Sequence, residues 1–138
     1  MSKIMKQRPG TMRLIDALQY RLPVAGLVSI LHRVSGALMF VLMPFIIWMF
    51  DNSVTSEASY ARLTSVFSSG AGVLPGWFFK LVVLALVWAY LHHFIAGLRH
   101  LWMDVTHSST KAFGQQSAMV TMVLSILLTF VLGYRVFF

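Results

Sequence analysis

Three apolar runs, Leu22–Phe50, Trp77–Met103 and Ser117–Tyr134, occupy most of this chain and leave it few possible folds. About 20 apolar residues suffice to cross the hydrocarbon of a bilayer as a helix. In lipid every backbone N–H and C=O must find its partner inside the structure, so continuous runs of this length fold as helices. The segments between them are too short for a soluble domain. The reading is an all-α integral membrane protein with three transmembrane helices. Composition agrees: 58% of the residues are hydrophobic and only 11% charged, where a soluble domain carries about 25%.

The pattern divides the chain into six parts. Residues 1–21 form a basic segment; 22–50, 77–103 and 117–137 are the spans; 51–76 and 104–116 are connections. Pro23 suits the start of a helix, and Pro44 predicts a kink toward the far end of the first span. The 51–76 stretch is polar and rich in Ser and Gly, with a short helix expected near 58–67. Trp77 and Lys80 read as interface anchors, and Arg135 as a residue that snorkels to the opposite surface.

The net charge of +7 is unevenly placed. Lys3, Lys6, Arg8, Arg13 and Arg21 precede the first apolar run, whereas 51–76 carries Asp51, Glu57 and one Arg62. Under the positive-inside rule the N-terminus is then cytoplasmic and the C-terminus on the outer, periplasmic side. No aromatic-interleaved basic surface accompanies the charges, so nucleic acid is not the expected partner. The first apolar run is too long for the core of a cleavable signal peptide. There is no cysteine, which removes thiol chemistry and cysteine-held iron–sulfur clusters from this chain.

Ionisable residues inside the runs carry the chemistry. His32, His92, His93 and His100, with Arg33 and Arg99, all lie within spans. Each is costly at bilayer depth and needs a partner. His93, Gly97, His100 and Asp104 are spaced 4, 3 and 4 apart and line one helical face. Gly97 leaves a notch in that face, suited to close helix packing or to a flat cofactor. Ser29, His32, Arg33 and Gly36 share a face of the first span.

Counting inward from Asp104 puts His93 11 residues deep, roughly 16 Å at 1.5 Å per residue. His32 lies 11 residues beyond Arg21, at a similar depth. No carboxylate at that depth pairs with Arg33, so its counter-charge comes from a ligand or another subunit. A haem propionate or a quinone oxygen would serve. His92 points away from the His93 face and reads as an interhelical hydrogen-bond group. His107 falls in a turn and reads as solvated. Zinc is disfavoured, because adjacent histidines on a helix cannot both reach one ion. No acid orients Ser29 and His32 for hydrolysis.

The run "QRP" (Gln7–Pro9) followed by "RLPVAGLVSILHRVSG" (Arg21–Gly36) resembles a signature of the cytochrome b large membrane-anchor subunits of succinate dehydrogenase, in their proteobacterial form. The segment "HHFIAGLRHLWMD" (His92–Asp104) resembles the H-x-x-x-G-x-R-H…D stretch of the same family. Where mitochondrial-type relatives carry Ser-Pro-His, this chain has "GTMRLIDAL".

The resemblance implies a multi-pass subunit of the bacterial inner membrane. It would form half of a helical bundle with a second hydrophobic anchor subunit, and dock an iron–sulfur subunit and a flavoprotein subunit. It implies a haem b shared between the anchors and a ubiquinone site. The axial ligand falls on His93, with His92 the adjacent alternative. His32, Arg33 and His100 would lie near the propionates, Ser29 and Arg33 at the quinone, and Asp104 at a proton entrance. The competing readings are a quinol:fumarate reductase anchor, a haem-free structural anchor, and a proton-conducting subunit, which would want a mid-span carboxylate this chain lacks.

Overall fold

A computed structural model describes Ile15, residues 21–107 and residues 110–137. Most of the basic segment, including Lys3, Lys6, Arg8, Arg13 and the Gln7–Pro9 motif, lies outside the described residues.

Every regular element among the described residues is a helix, apart from a single bridge between Ala71 and Leu74. Helix α1 is Val24–Val41, α2 is Met43–Val54, α3 is Glu57–Ser69, α4 is Gly76–Thr106 and α5 is Lys111–Phe137. Helices α1, α4 and α5 are long and apolar enough to cross a membrane. The all-α, three-span architecture is therefore present.

Helix α1 begins after Pro23, whose carbonyl accepts from the N–H groups of Gly26 and Leu27 at 2.9 and 3.1 Å. At 1.5 Å per residue its 18 residues rise roughly 27 Å. Helix α2 continues the run after a single break at Leu42 (φ −89°, ψ 6°). Pro44 stands in the first turn of α2 and explains the break. It has no N–H to donate, and its ring would clash with the carbonyl of the preceding turn. The kink expected at Pro44 thus falls two residues earlier.

Polar residues organise the loop. Ser56 caps α3: its hydroxyl accepts from the Ser59 N–H at 3.1 Å, and Ser59 Oγ accepts from the Ser56 N–H at 3.0 Å. Gly70 ends α3 at φ +92°. A Cβ there would collide with the Leu74 carbonyl, so this turn needs glycine. The short helix expected near 58–67 corresponds to α3.

Helices α4 and α5 run past the expected spans. They take up most of 104–116, leaving a tight connection in which His107 is left-handed (φ 52°). Helix ends are not membrane boundaries, and a helix longer than the hydrocarbon is thick tilts or protrudes.

The core is where α1, α4 and α5 meet. Val28, Ala96 and Ala118 are fully buried there, with Val24, Ala25 and Met122 packed around them. Helix α5 buries Ala118, Thr121, Ser125, Thr129 and Gly133, a stripe of small residues at helical spacing. Small residues let backbones approach where lipid supplies no hydrophobic drive for association. Gly133 meets α4 so closely that a Cβ would come within 2.6 Å of Leu84 Cδ1. The hydroxyls on this stripe bond back to their own helix: Thr121 to the Ser117 carbonyl at 2.9 Å, and Thr129 to that of Ser125 at 2.7 Å.

Candidate functional site

Helix α4 carries two polar stripes one position apart, and the crossing of the three helices sends them to different neighbours. His92, Ala96 and Arg99 face α5, whereas His93, Gly97 and His100 face α1. The spacing of 3 and 4 within each stripe keeps its members on one line.

The α1-facing stripe builds a cluster of imidazoles. The rings of His32 and His93 stack with centroids 4.1 Å apart and planes at 21°. His100 stands 5.4 Å from His32. Each helix offers a glycine to the other's ring. A Cβ on Gly36 would lie 2.9 Å from His93 Cε1, so the imidazole rests on bare backbone. A Cβ on Gly97 would lie 3.7 Å from His32 Nε2, an ordinary contact. The equal depths counted for His32 and His93 agree with this stacking.

His93 is oriented by α1. Its Nδ1 lies 2.9 Å from the His32 carbonyl oxygen. A carbonyl only accepts, so Nδ1 carries the proton and Nε2 the lone pair. Ser35, fully buried, donates to the same carbonyl at 2.8 Å and stands 3.3 Å from His93 Nδ1. His93 Nε2 makes no hydrogen bond among the described residues. An imidazole fixed at one nitrogen with the other left basic is the usual state of a metal-ligating histidine. No group of three His, Cys, Asp or Glu is placed to hold a metal ion among the described residues. A single ligand of this kind suits an ion whose other ligands come from a cofactor or another chain.

His92 is built differently. It is fully buried, stacked on Trp88 at 5.3 Å. Ser125 Oγ donates to the Met122 carbonyl at 3.0 Å, and its oxygen accepts from His92 Nδ1 at 3.2 Å. Its Nε2 is enclosed beside the Val28 backbone of α1 and has no hydrogen bond of full geometry. The side chain therefore ties α4 to α5 through Ser125, the interhelical role expected of it.

The remaining residues separate. Ser29 is half-buried, and its hydroxyl bonds to no group among the described residues, unlike Ser35. Arg33 is exposed on the chain's own surface, one turn from Ser29, and has no ion-pair or hydrogen-bond partner among the described residues. Asp104 is exposed near the end of α4, and no contact joins it to the imidazoles. Arg99 has found partners inside the chain: Nε donates to Ser117 Oγ and an Nη to the Gly114 carbonyl, both at 2.9 Å.

Sequence reasoning passed over Ser35 and the carbonyl of His32. Ser35 follows His32 by three residues, the spacing of a serine bonding back to its own helix, and nothing in that spacing reveals its second neighbour.

A three-span helical protein with an imidazole cluster between two of its spans belongs to the multi-pass membrane proteins that hold ionisable side chains inside their helix bundle. Comparison with known proteins makes the class particular. Residues 6–132 match the succinate dehydrogenase/fumarate reductase transmembrane subunit family, and the chain belongs to that family. It is 31% identical to the succinate dehydrogenase cytochrome b556 subunit of Coxiella burnetii, over 80% of this chain and 84% of the relative. The cytochrome b556 subunit of Paracoccus denitrificans is 30% identical, over 86% of this chain and 85% of the relative. The cytochrome b560 subunit of Porphyra purpurea is 30% identical, over 71% of this chain and 75% of the relative.

Proposed function

We propose that this chain is the cytochrome b membrane anchor of a succinate:ubiquinone oxidoreductase, working with a second anchor, an iron–sulfur subunit and a flavoprotein. It would sit in the bacterial inner membrane with its basic N-terminus on the cytoplasmic side. The observation that carries the reading is the 2.9 Å bond from His93 Nδ1 to the His32 carbonyl, which leaves Nε2 with its lone pair unengaged, as an iron ligand requires.

The donor set fits a haem b held by one histidine from this chain. His93 would ligate the iron, and His32, Arg33 and His100 would lie toward the propionates. When bound, the haem supplies a one-electron carrier within the membrane. The His32 carbonyl fixes the plane and tautomer of the ligand, and the bare backbone of Gly36 gives its ring room.

The quinone is the substrate that takes electrons arriving from the iron–sulfur subunit. Two unengaged groups one turn apart support its site. The Ser29 hydroxyl would donate to one quinone oxygen. The Arg33 guanidinium, with no counter-charge among the described residues, would stabilise the negative charge that develops there on reduction. Asp104, exposed at the α4 end, would take up protons from the cytoplasmic side. Succinate itself would be oxidised on the flavoprotein.

The test is a reduced-minus-oxidised absorption spectrum of the detergent-purified complex, wild type beside His93→Ala. A b-type α-band that is lost or shifted in the variant is the expected result. A band unchanged by the variant would remove His93 as ligand. No band in wild type would leave a haem-free anchor.

A further inference from the structure

Arg99 is a charged residue, half-buried against the helix bundle, that the proposed redox site does not use. It sits seven residues before the end of α4 at Thr106, roughly 10 Å along the axis. The polar stretch that begins at Asp104 marks where the chain leaves the hydrocarbon, and from Arg99 a long side chain can reach that boundary.

Its guanidinium is charged, yet both of its hydrogen bonds go to neutral acceptors, Ser117 Oγ and the Gly114 carbonyl. Those bonds use Nε and one Nη, and the other terminal nitrogen has no partner among the described residues. Among the described residues no carboxylate neutralises it. The chain has four acidic residues, of which Asp16 lies outside the described residues. Asp51 and Glu57 lie in α2 and α3, near the other end of α4, and Asp104, five residues along α4, makes no ion pair with it.

Arg99 also lines a groove of about 750 Å³ between α4 and the first half of α5. Leu98, Trp102 and Val105 form one wall, Phe113 and Val120 the other. Leu98, Trp102, Val105 and Val120 are all more than half exposed, so the groove opens outward from the bundle. An apolar trough with one unneutralised cation near the membrane surface is complementary to an amphiphile with an anionic head.

We infer that this groove is a site for an anionic glycerophospholipid, its phosphate on the Arg99 guanidinium and an acyl chain along Leu98, Trp102 and Val120. A basic pocket between membrane helices recognises such headgroups by this pairing of charge with apolar wall. The bound lipid would brace α4 against α5 on the side away from the imidazoles.

The test uses the purified complex, washed free of lipid in detergent and incubated with phosphatidylglycerol or with zwitterionic phosphatidylcholine. Lipid retained per complex is read by native mass spectrometry. Wild type should retain phosphatidylglycerol over phosphatidylcholine by roughly fivefold, the factor one arginine near the surface supplies. Arg99→Lys keeps the charge and should keep the preference. Arg99→Gln should lose it, and Arg135→Gln, at the far end of α5, should not. Val120→Phe fills the groove with Arg99 in place and should lower retention of both lipids; it decides the matter if Arg99→Gln fails to assemble. Equal retention of the two lipids by wild type would overturn the inference. So would an unchanged preference in Arg99→Gln, or unchanged retention in Val120→Phe.

Discussion

The imidazole of His93 on α4 is hydrogen-bonded through Nδ1 to the main-chain carbonyl of His32 on α1, at 2.9 Å. The two rings also stack, with centroids 4.1 Å apart. One helix thus sets both the tautomer and the plane of the other's ligand candidate. A backbone acceptor has an advantage here: it cannot titrate, change rotamer or be removed by a side-chain substitution. The orientation of His93 then depends on how closely α1 and α4 approach.

That dependence can be read at Gly36. A methyl group there would stand 2.9 Å from His93 Cε1 and 3.2 Å from Nδ1. Overpacking of this kind costs about 1–3 kcal/mol, relieved by moving the ring or parting the helices. Gly36→Ala should therefore shift or weaken the b-type α-band of the purified complex. Gly97→Ala, whose new methyl group meets His32 Nε2 at an ordinary 3.7 Å, should leave the band in place. Identical spectra for both variants would mean that the Gly36 contact does not position the ligand.

The quinone assignment makes a separable prediction. Arg33→Leu should lower quinone reduction by on the order of 10²-fold, the usual cost of removing a group that stabilises developing negative charge. Succinate oxidation by a soluble dye should stay near wild type, because in the proposed complex that step takes place on another subunit. Ser29→Ala removes one neutral hydrogen bond, worth about 0.5–1.5 kcal/mol, and should raise the KM for quinone about 2- to 10-fold. Equal loss of the dye and quinone activities in Arg33→Leu would point to assembly instead.

What was legible in the sequence follows from what one helix knows about itself. The length of the apolar runs announces three spans, and the spacing of 3 and 4 announces the stripe of His93, Gly97 and His100. Counting inward from Arg21 and Asp104 even puts His32 and His93 at one level, as their stacked rings require. What was not legible needs two helices at once. The Ser35–His32–His93 contact depends on the offset and crossing of α1 and α4, which neither periodicity contains. Arg99 could not be assigned to α5 because one acceptor, the Gly114 carbonyl, lies in a stretch that reads as a polar turn, and the other, Ser117, only opens the expected span.

A control far from the membrane chemistry concerns the loop. Ser56 and Ser59 cap α3 reciprocally, and Ser59 Oγ also donates to the Asn52 carbonyl of α2 at 3.0 Å. Ser56→Ala should cost about 1 kcal/mol, seen as a lower thermal midpoint of the complex. The haem spectrum and quinone KM should not change. A spectral change would mean that the loop couples to the imidazole cluster.

The last prediction separates the two adjacent histidines. A ligand nitrogen must be reachable, and neither nitrogen of His92 is: Nδ1 donates to Ser125, and Nε2 is enclosed among the helices. His93 has one nitrogen fixed and the other unengaged at the edge of the bundle. His92→Ala should then keep the b-type band while losing the Trp88 stack, the Ser125 bond and the volume that fills the junction of α1, α4 and α5. Emptying a buried site of that size costs about 2–4 kcal/mol. The complex should melt at a lower temperature with its spectrum intact, whereas His93→Ala should lose or shift the band. If His92→Ala instead abolishes the band in a complex that melts normally, the ligand is His92. The α5-facing stripe of α4 would then have to turn toward the cofactor when the second anchor binds.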